Sequence, residues 1–264
     1  MPVARDIPRE VSGAASALLV PLLTAGSRRL TLVAATRVSR HYRTEDPRCP
    51  TVSVLTPTAI RLPDSVVLEA SATLPDGDLA TGSLVGNGDT LPWLRVTRWW
   101  RPARPSRLAP PPDLGAVART EWRVRVSGVP ALHDLGESRG IDPDALVGAG
   151  PGLTPAGDDV LAGALVTARA TDDPRLPLWR DRTRRAMDLH RTTVVSYGLL
   201  THALHGYAVP PLADFLTALC TPDEPPDRVE VALDRLMAVG HSSGSALATG
   251  ILHTLATREV VAAA

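Results

Sequence analysis

The sequence predicts an α+β protein, with a β-rich N-terminal half packed on a mainly helical C-terminal half. Two contrasts carry that expectation. Up to about residue 130, short runs rich in Val, Leu and Thr alternate with turn chemistry. From about residue 150, alanine and leucine dominate, and the segments start and stop with helix caps. The 264-residue chain is long enough to bury a sizeable core without staples. The expected regions are 1–130 and 131–264.

Taken in order, residues 11–26 (VSGAASALLVPLLTAG) have the length of a secretory apolar region and end in small residues. Asp6 and Glu10 precede them beside Arg5 and Arg9, and Pro21 interrupts the run, so a buried helix is the expectation. LTLVAA (30–35), TVSVL (51–55), SVVLEA (65–70) and WRVRV (122–126) read as strands. PDGD (75–78) and GNGD (86–89) read as turns, because Asn-Gly and Asp-Gly accept positive φ cheaply. In WLRVTRWWRPARPSR (93–107) arginine recurs every third residue among tryptophans, a period that is neither strand nor helix. Arginines beside aromatics are the ingredients of a nucleic-acid surface, but the expectation is a solvated edge. The proline-rich 102–113 reads as an exposed connector. Helices are expected near 155–170, 176–190, 194–206, 210–219, 226–239 and 243–259. RDRTRR (180–185) reads as the wet side of its helix.

Composition narrows the chemistry. Acids and bases balance at 28 each, which speaks against a dedicated polyanion binder or a polybasic membrane anchor. All 28 basic residues are arginine. The chain therefore has no Schiff-base lysine, no lysine aldimine with pyridoxal phosphate and no P-loop lysine. Its positive charge is guanidinium, which grips carboxylates and phosphates but does not transfer protons. Cys49 and Cys220 make neither a disulfide framework nor a thiolate zinc site, and they are simplest as reduced thiols in a cytoplasmic protein. No stretch reaches the ~20 apolar residues of a membrane span.

Three stretches hold the candidate chemistry. In LVGAGPGLTPAGDDVLAG (146–163), Gly148, Gly150 and Gly152 form a loop whose backbone can approach a ligand closely. Thr154 is placed as an N-cap, Pro155 fits the first helical position, and Gly157, Asp158 and Asp159 follow. Such a tip offers unpaired N–H groups to an anion. Adjacent carboxylates point about 100° apart, so one can face a ligand or metal while the other holds the loop. Good capping and close helix packing explain the same residues without a ligand.

The second stretch is Gly240-His241-Ser242-Ser243-Gly244, where one helix stops at a C′ glycine and a hydroxyl-rich turn opens the next. His241 is placed to donate to an anion or shuttle a proton. The third is Arg191-Thr192-Thr193, which joins a guanidinium to hydroxyls between two helices. His190, His202 and His205 lie nearby, but His202 and His205 are three apart with no carboxylate in register for a metal.

GAGPGLTPAGDDVLAG, the Thr-Thr-x-x-Ser turn and GHSSGSALATGIL together resemble the AllH-like family, over about residues 146–252. Two positions depart from it: Ala156, where the family often has serine, and Ala246, often acidic there. The family's best-described member is a subunit of oxamate carbamoyltransferase in anaerobic allantoin catabolism. The resemblance implies a transferase that converts oxalurate and phosphate into oxamate and carbamoyl phosphate with the help of other protein subunits.

On that basis the expected anion-binding residues are Gly150, Gly152, Thr154, Gly157, Arg191, Thr192, Thr193, Ser242, Ser243 and Gly244. Phosphate would sit on the N–H groups of 150–157 or 242–245, with the oxalurate carboxylate on Arg191. Asp158, Asp159 and His241 are the candidate catalytic groups, with Asp158 and Asp159 also the candidate holders of Mg²⁺ or Mn²⁺. No certain cofactor, nucleic acid or membrane partner is expected. The rivals are a non-catalytic assembly or regulatory subunit and a metal-dependent hydrolase using Asp158 and Asp159.

Overall fold

The computed structural model describes residues 11–25, 28–80, 94–111 and 140–262. The expected strand at 122–126, the turn at 86–89 and the region boundary at 130 lie outside the described residues. The chain forms two compact units, Met1–Pro102 and Ala103–Ala264.

The first unit is a mixed sheet. Its elements are β1 (Val11–Ser16), a 3₁₀ turn (Ala17–Leu19), α1 (Val20–Leu23), β2 (Arg29–Ala35), β3 (Ser39–Arg43), β4 (Thr51–Leu55), β5 (Ser65–Leu68), β6 (Leu79–Ala80) and β7 (Leu94–Trp100). The strand order is β6-β2-β3-β4-β5-β1-β7. β2, β3 and β4 are antiparallel neighbours, β4 runs parallel to β5, and β1 joins β5 antiparallel and β7 parallel. The central strand β4 is buried at all five residues: Val52 and Val54 lie in the core, and Ser53 hydrogen-bonds the His41 ring at 2.9 Å. Tyr42, Leu30, Val52, Val54 and Val66 share its core with Leu19, Leu22 and Leu23.

Two expectations are corrected here. Residues 11–16 are a strand, not the start of a buried helix. They pair with β5 on one side and β7 on the other, and that ladder outweighs alanine's helix preference. The hydroxyl of Ser16 then accepts from the N–H of Leu18 at 3.2 Å and starts the helical turn. Pro21 lies in the first turn of α1, where no intrahelical N–H is lost, so it opens the helix instead of interrupting it.

The arginine-rich stretch 94–100 is a strand despite its period of three, and its exposed Arg95, Thr97, Arg98 and Trp99 fit the expected solvated edge. The register against β1 skips from Gly13–Val96 to Ala14–Arg98, leaving Thr97 as the extra residue of a β-bulge. The bulge resets the alternation and puts Arg95 and Arg98 opposite Ser12 and Ala14, on one face.

The second unit is helical: α2 (Pro143–Leu146), α3 (Ala156–Ala170), α4 (Leu176–Ala186), α5 (Val194–Ala203), α6 (Pro210–Cys220), α7 (Pro226–Met237) and α8 (Ser243–Ala262). α3 is buried on every side, with Arg169 its one residue not counted as buried. It lies against α8 at two glycines. A Cβ on Gly163 would stand 2.3 Å from the Leu247 carbonyl oxygen, and one on Gly250 would stand 2.0 Å from that of Val160. These backbones touch because no side chain intervenes.

The pair runs parallel. Thr154, just before α3, meets Ser243 at the start of α8. Beyond the other end of α3, Arg175 donates to the Thr257 hydroxyl and the Thr254 carbonyl near the end of α8.

Candidate functional site

The glycine loop before α3 is bent by three residues with positive φ: Gly148 (76°), Gly150 (109°) and Gly152 (100°). Gly148 also runs so close to Arg191 that a Cβ would fall 1.8 Å from its carbonyl oxygen. Both oxygens of Asp158 tie this loop down. Oδ1 accepts from the N–H of Gly148 at 2.8 Å, and Oδ2 accepts from the Thr192 hydroxyl. The N–H of Gly157 donates to the Ala149 carbonyl at 2.8 Å, and the Thr193 hydroxyl donates to that of Leu153 at 2.6 Å. Thr193 also caps α5 by accepting from the N–H of Ser196 at 3.0 Å.

The turn of the second motif closes on the same point. Gly240 takes a φ of 59° between α7 and α8. Gly244 lies so near α7 that a Cβ would be 2.0 Å from the Leu236 carbonyl oxygen. The hydroxyls of Thr154 and Ser243 hydrogen-bond at 2.9 Å, linking two motifs 89 residues apart. The loop, the Thr-Thr turn and the GHSSG turn thus form one cluster.

Asp159 stands beneath that hydroxyl pair. It is 6% exposed, and its Oδ2 is buried with no hydrogen-bond partner. Burial pushes its carboxyl up to about 7. The negative Asp158 next to it pushes the same way, while the hydroxyls of Ser243 and Thr154 draw it back. Near neutral pH this group holds its proton about half the time.

The backbone donors complete the inventory. The N–H groups of Gly150, Gly152, Leu153, Thr154 and Ala156 make no hydrogen bond among the described residues, and neither do those of Ser242, Ser243 and Ser245. Those of Gly157 and Gly244 are taken, by Ala149 and Val239. All of these donors fall within the ranges 150–157 and 242–245 expected from the sequence, although Leu153, Ala156 and Ser245 were not named there individually, because a backbone donor has no residue-type signature. His241 is exposed on the turn. Arg191 spends its guanidinium on the chain itself, donating to the carbonyls of Asp144 (2.6 Å), Val147 (3.3 Å) and Ala186 (3.4 Å). A substrate carboxylate would have to share it with these three oxygens.

Among the described residues no three His, Cys, Asp or Glu side chains come together as a metal site. Asp158 already has a hydrogen bond on each oxygen, so the pair does not present two open carboxylates to one ion. Ala156 and Ala246 are both buried, at 7% and 0% exposure. Among the described residues, no helix is long and apolar enough to cross a membrane.

The helical unit thus belongs to a class defined by a buried, parallel helix pair whose N-terminal tips share a hydroxyl–carboxylate cluster. Residues 146–255 match the family of the oxamate carbamoyltransferase subunit AllH, so the resemblance carried by the three motifs is shown over this stretch. A subunit works with other chains, and the family accordingly implies protein partners. No solved structure matches the chain significantly.

Proposed function

We propose that this chain supplies the anion-binding centre of an oxamate carbamoyltransferase, working with partner subunits on oxalurate and phosphate. One observation carries the reading. The Thr154–Ser243 contact joins two glycine-flanked helix tips with unpaired N–H groups, beside the buried Asp159 carboxyl whose Oδ2 has no hydrogen-bond partner. Helix tips attract anions, and both substrates are anionic.

In this reading phosphate rests on the donors of Gly150, Gly152 and Thr154 on one side and of Ser242 and Ser243 on the other. A phosphate oxygen attacks the carbamoyl carbonyl carbon of oxalurate, and the bond from that carbon to the inner nitrogen breaks. The leaving oxamate nitrogen needs a proton, and the phosphate gives one up, so the step balances without an external acid. Asp159, held near 7, passes that proton: it donates to the nitrogen and is recharged from phosphate. His241 at the rim steadies the developing oxyanion, and Asp158 holds the glycine loop through Gly148 and Thr192. Arg191 positions the loop between α2 and α3 through its carbonyl contacts.

The test uses the complex assembled with its partner subunits. Asp159→Asn is expected to lower kcat by about 100-fold or more while phosphate still binds, as loss of a general acid does. The wild-type rate should fall as pH rises through about 7, because the acid must be protonated. Ser243→Ala combined with Thr154→Val should raise the KM for phosphate. Unchanged turnover in Asp159→Asn would place the chemistry elsewhere, and absence of saturable phosphate binding would favour a purely assembling subunit.

A further inference from the structure

Four of the described arginines of the helical unit pair with acids. Arg175 pairs with Asp173, Arg182 with Asp142 and Asp144, Arg185 with Asp181, and Arg228 with Glu224. Arg169, Arg180 and Arg184 are different. Among the described residues none of them has an acidic partner, and Arg169 and Arg184 lie close enough for their charges to act on Arg180. Burial first, then Arg184 and Arg169, lower the basicity of Arg180, whose Nε is buried without a hydrogen-bond partner. His205 joins them from the end of α5. Its pKa is lowered by burial and then by the charges of Arg180, Arg184, His202 and Arg169.

Separate elements bring these cations together. Arg169 ends α3, and its side chain lies on Gly206: a Cβ there would be 2.6 Å from the Arg169 Cδ. Arg180 and Arg184 are one turn apart on α4, on the same face. Arg104 borders the group, donating from Nε to the His205 carbonyl at 2.9 Å and lying over the Tyr207 ring. Asp158 and Arg169 are separated along α3 by roughly 16 Å, at 1.5 Å per residue, so the cluster is remote from the tips of α3 and α8.

Gathering like charges without acids costs stability, and a ligand of opposite charge removes that cost. We infer that Arg169, Arg180, Arg184 and His205 form a second binding site, for a small polyanion of the phosphate or diphosphate class. A small ligand fits better than a macromolecular surface because the cations converge from separate elements and one guanidinium, Arg180, is half-buried with its Nε below the surface, an arrangement that suits a compact oxyanion and not a broad acidic face.

The probe is inorganic pyrophosphate, titrated calorimetrically into the full chain at low ionic strength. The wild type is expected to bind it saturably at this site and to gain thermal stability with it. Arg180→Gln/Arg184→Gln should weaken that binding at least tenfold. The same variant should melt higher than the wild type in anion-free buffer, because the repulsion is gone. Ser243→Ala/Thr154→Val should leave this binding intact. If the double variant does not fold, Arg184→Gln, at an exposed position, carries the same test, with the His205 ring proton shifts as a local reporter. Equal pyrophosphate binding in wild type and variant, no saturable binding at all, or binding of an RNA oligonucleotide without pyrophosphate would each overturn the site.

Discussion

The two ends of the α3–α8 pair are made from the same helices and finished differently. Around Arg175, beyond the C-terminal end of α3, the strong groups are spent. Arg175 donates to both Asp173 oxygens, to the Thr257 hydroxyl and to the Thr254 carbonyl, and its guanidinium lies 4.7 Å from the centre of the Trp179 ring. At the N-terminal end, Asp158 is equally saturated, but Asp159 keeps an oxygen without a partner beside unpaired N–H groups. A fold closes polar groups wherever stability is the only demand. An end left open under the same packing is the better place to look for a ligand.

The comparison breaks altogether if the two helices are pushed apart. Gly250→Leu is expected to have the largest effect, since even its Cβ would meet the Val160 carbonyl at 2.0 Å. The helical unit should lose most of its stability, seen as loss of cooperative thermal unfolding, although the same change on a free helix would be favourable. A Tm near wild type would mean the helices do not touch there.

A second experiment separates the ends by pH. Asp159 has its pKa raised, so the folded state holds a proton that the unfolded state gives up earlier. That contribution is present below the unfolded value near 4 and is lost as pH rises to about 7. A three-unit shift corresponds to about 4 kcal/mol. Denaturant titrations of Asp159→Asn should therefore lack a loss of that order, which the wild type shows between pH 4 and 7. Parallel pH profiles for the two proteins would mean that Asp159 is solvated and the open end is only water-filled.

At the Arg175 corner, Arg175→Ala should cost about 3 kcal/mol, because it takes the guanidinium away from the buried Asp173 carboxylate. The loss should be insensitive to phosphate. A phosphate-dependent effect would make the Arg175 corner part of a binding site.

What could be read from sequence follows from how local each signal is. The helix start at α8 was legible because Gly240 and the serines act within a few residues, but α3 begins one residue later than expected: Pro155 is its N-cap, and the Thr154 hydroxyl, expected to cap it, goes to Ser243 instead. The convergence of the two tips was only a geometric expectation: the contact between Thr154 and Ser243 spans 89 residues and depends on the glycine crossing at Gly163 and Gly250. β1 was missed because Val-Ser-Gly-Ala-Ala-Ser has no strand preference of its own and takes its conformation from β5 and β7. β7 did not show as a strand in its periodicity because one bulge at Thr97 converts a period of two into three. The run 180–185 read as uniformly wet, yet the fold pairs Arg182 and Arg185 with acids and turns Arg180 and Arg184 toward Arg169.

That division of α4 gives the smallest expected effect and the sharpest control. Arg185 and Asp181 are an i,i+4 pair at 2.6 Å, both more than half exposed. Water and salt screen such a pair, so Arg185→Gln should change stability by no more than about 0.5 kcal/mol. It should also leave pyrophosphate affinity unchanged. Arg184→Gln, the neighbouring residue on the same helix, also removes one positive charge but is expected to raise the Tm at low salt and weaken the anion. If the two variants behaved alike, net charge alone would explain both, and the distinction between paired and unpaired arginines on α4 would fail.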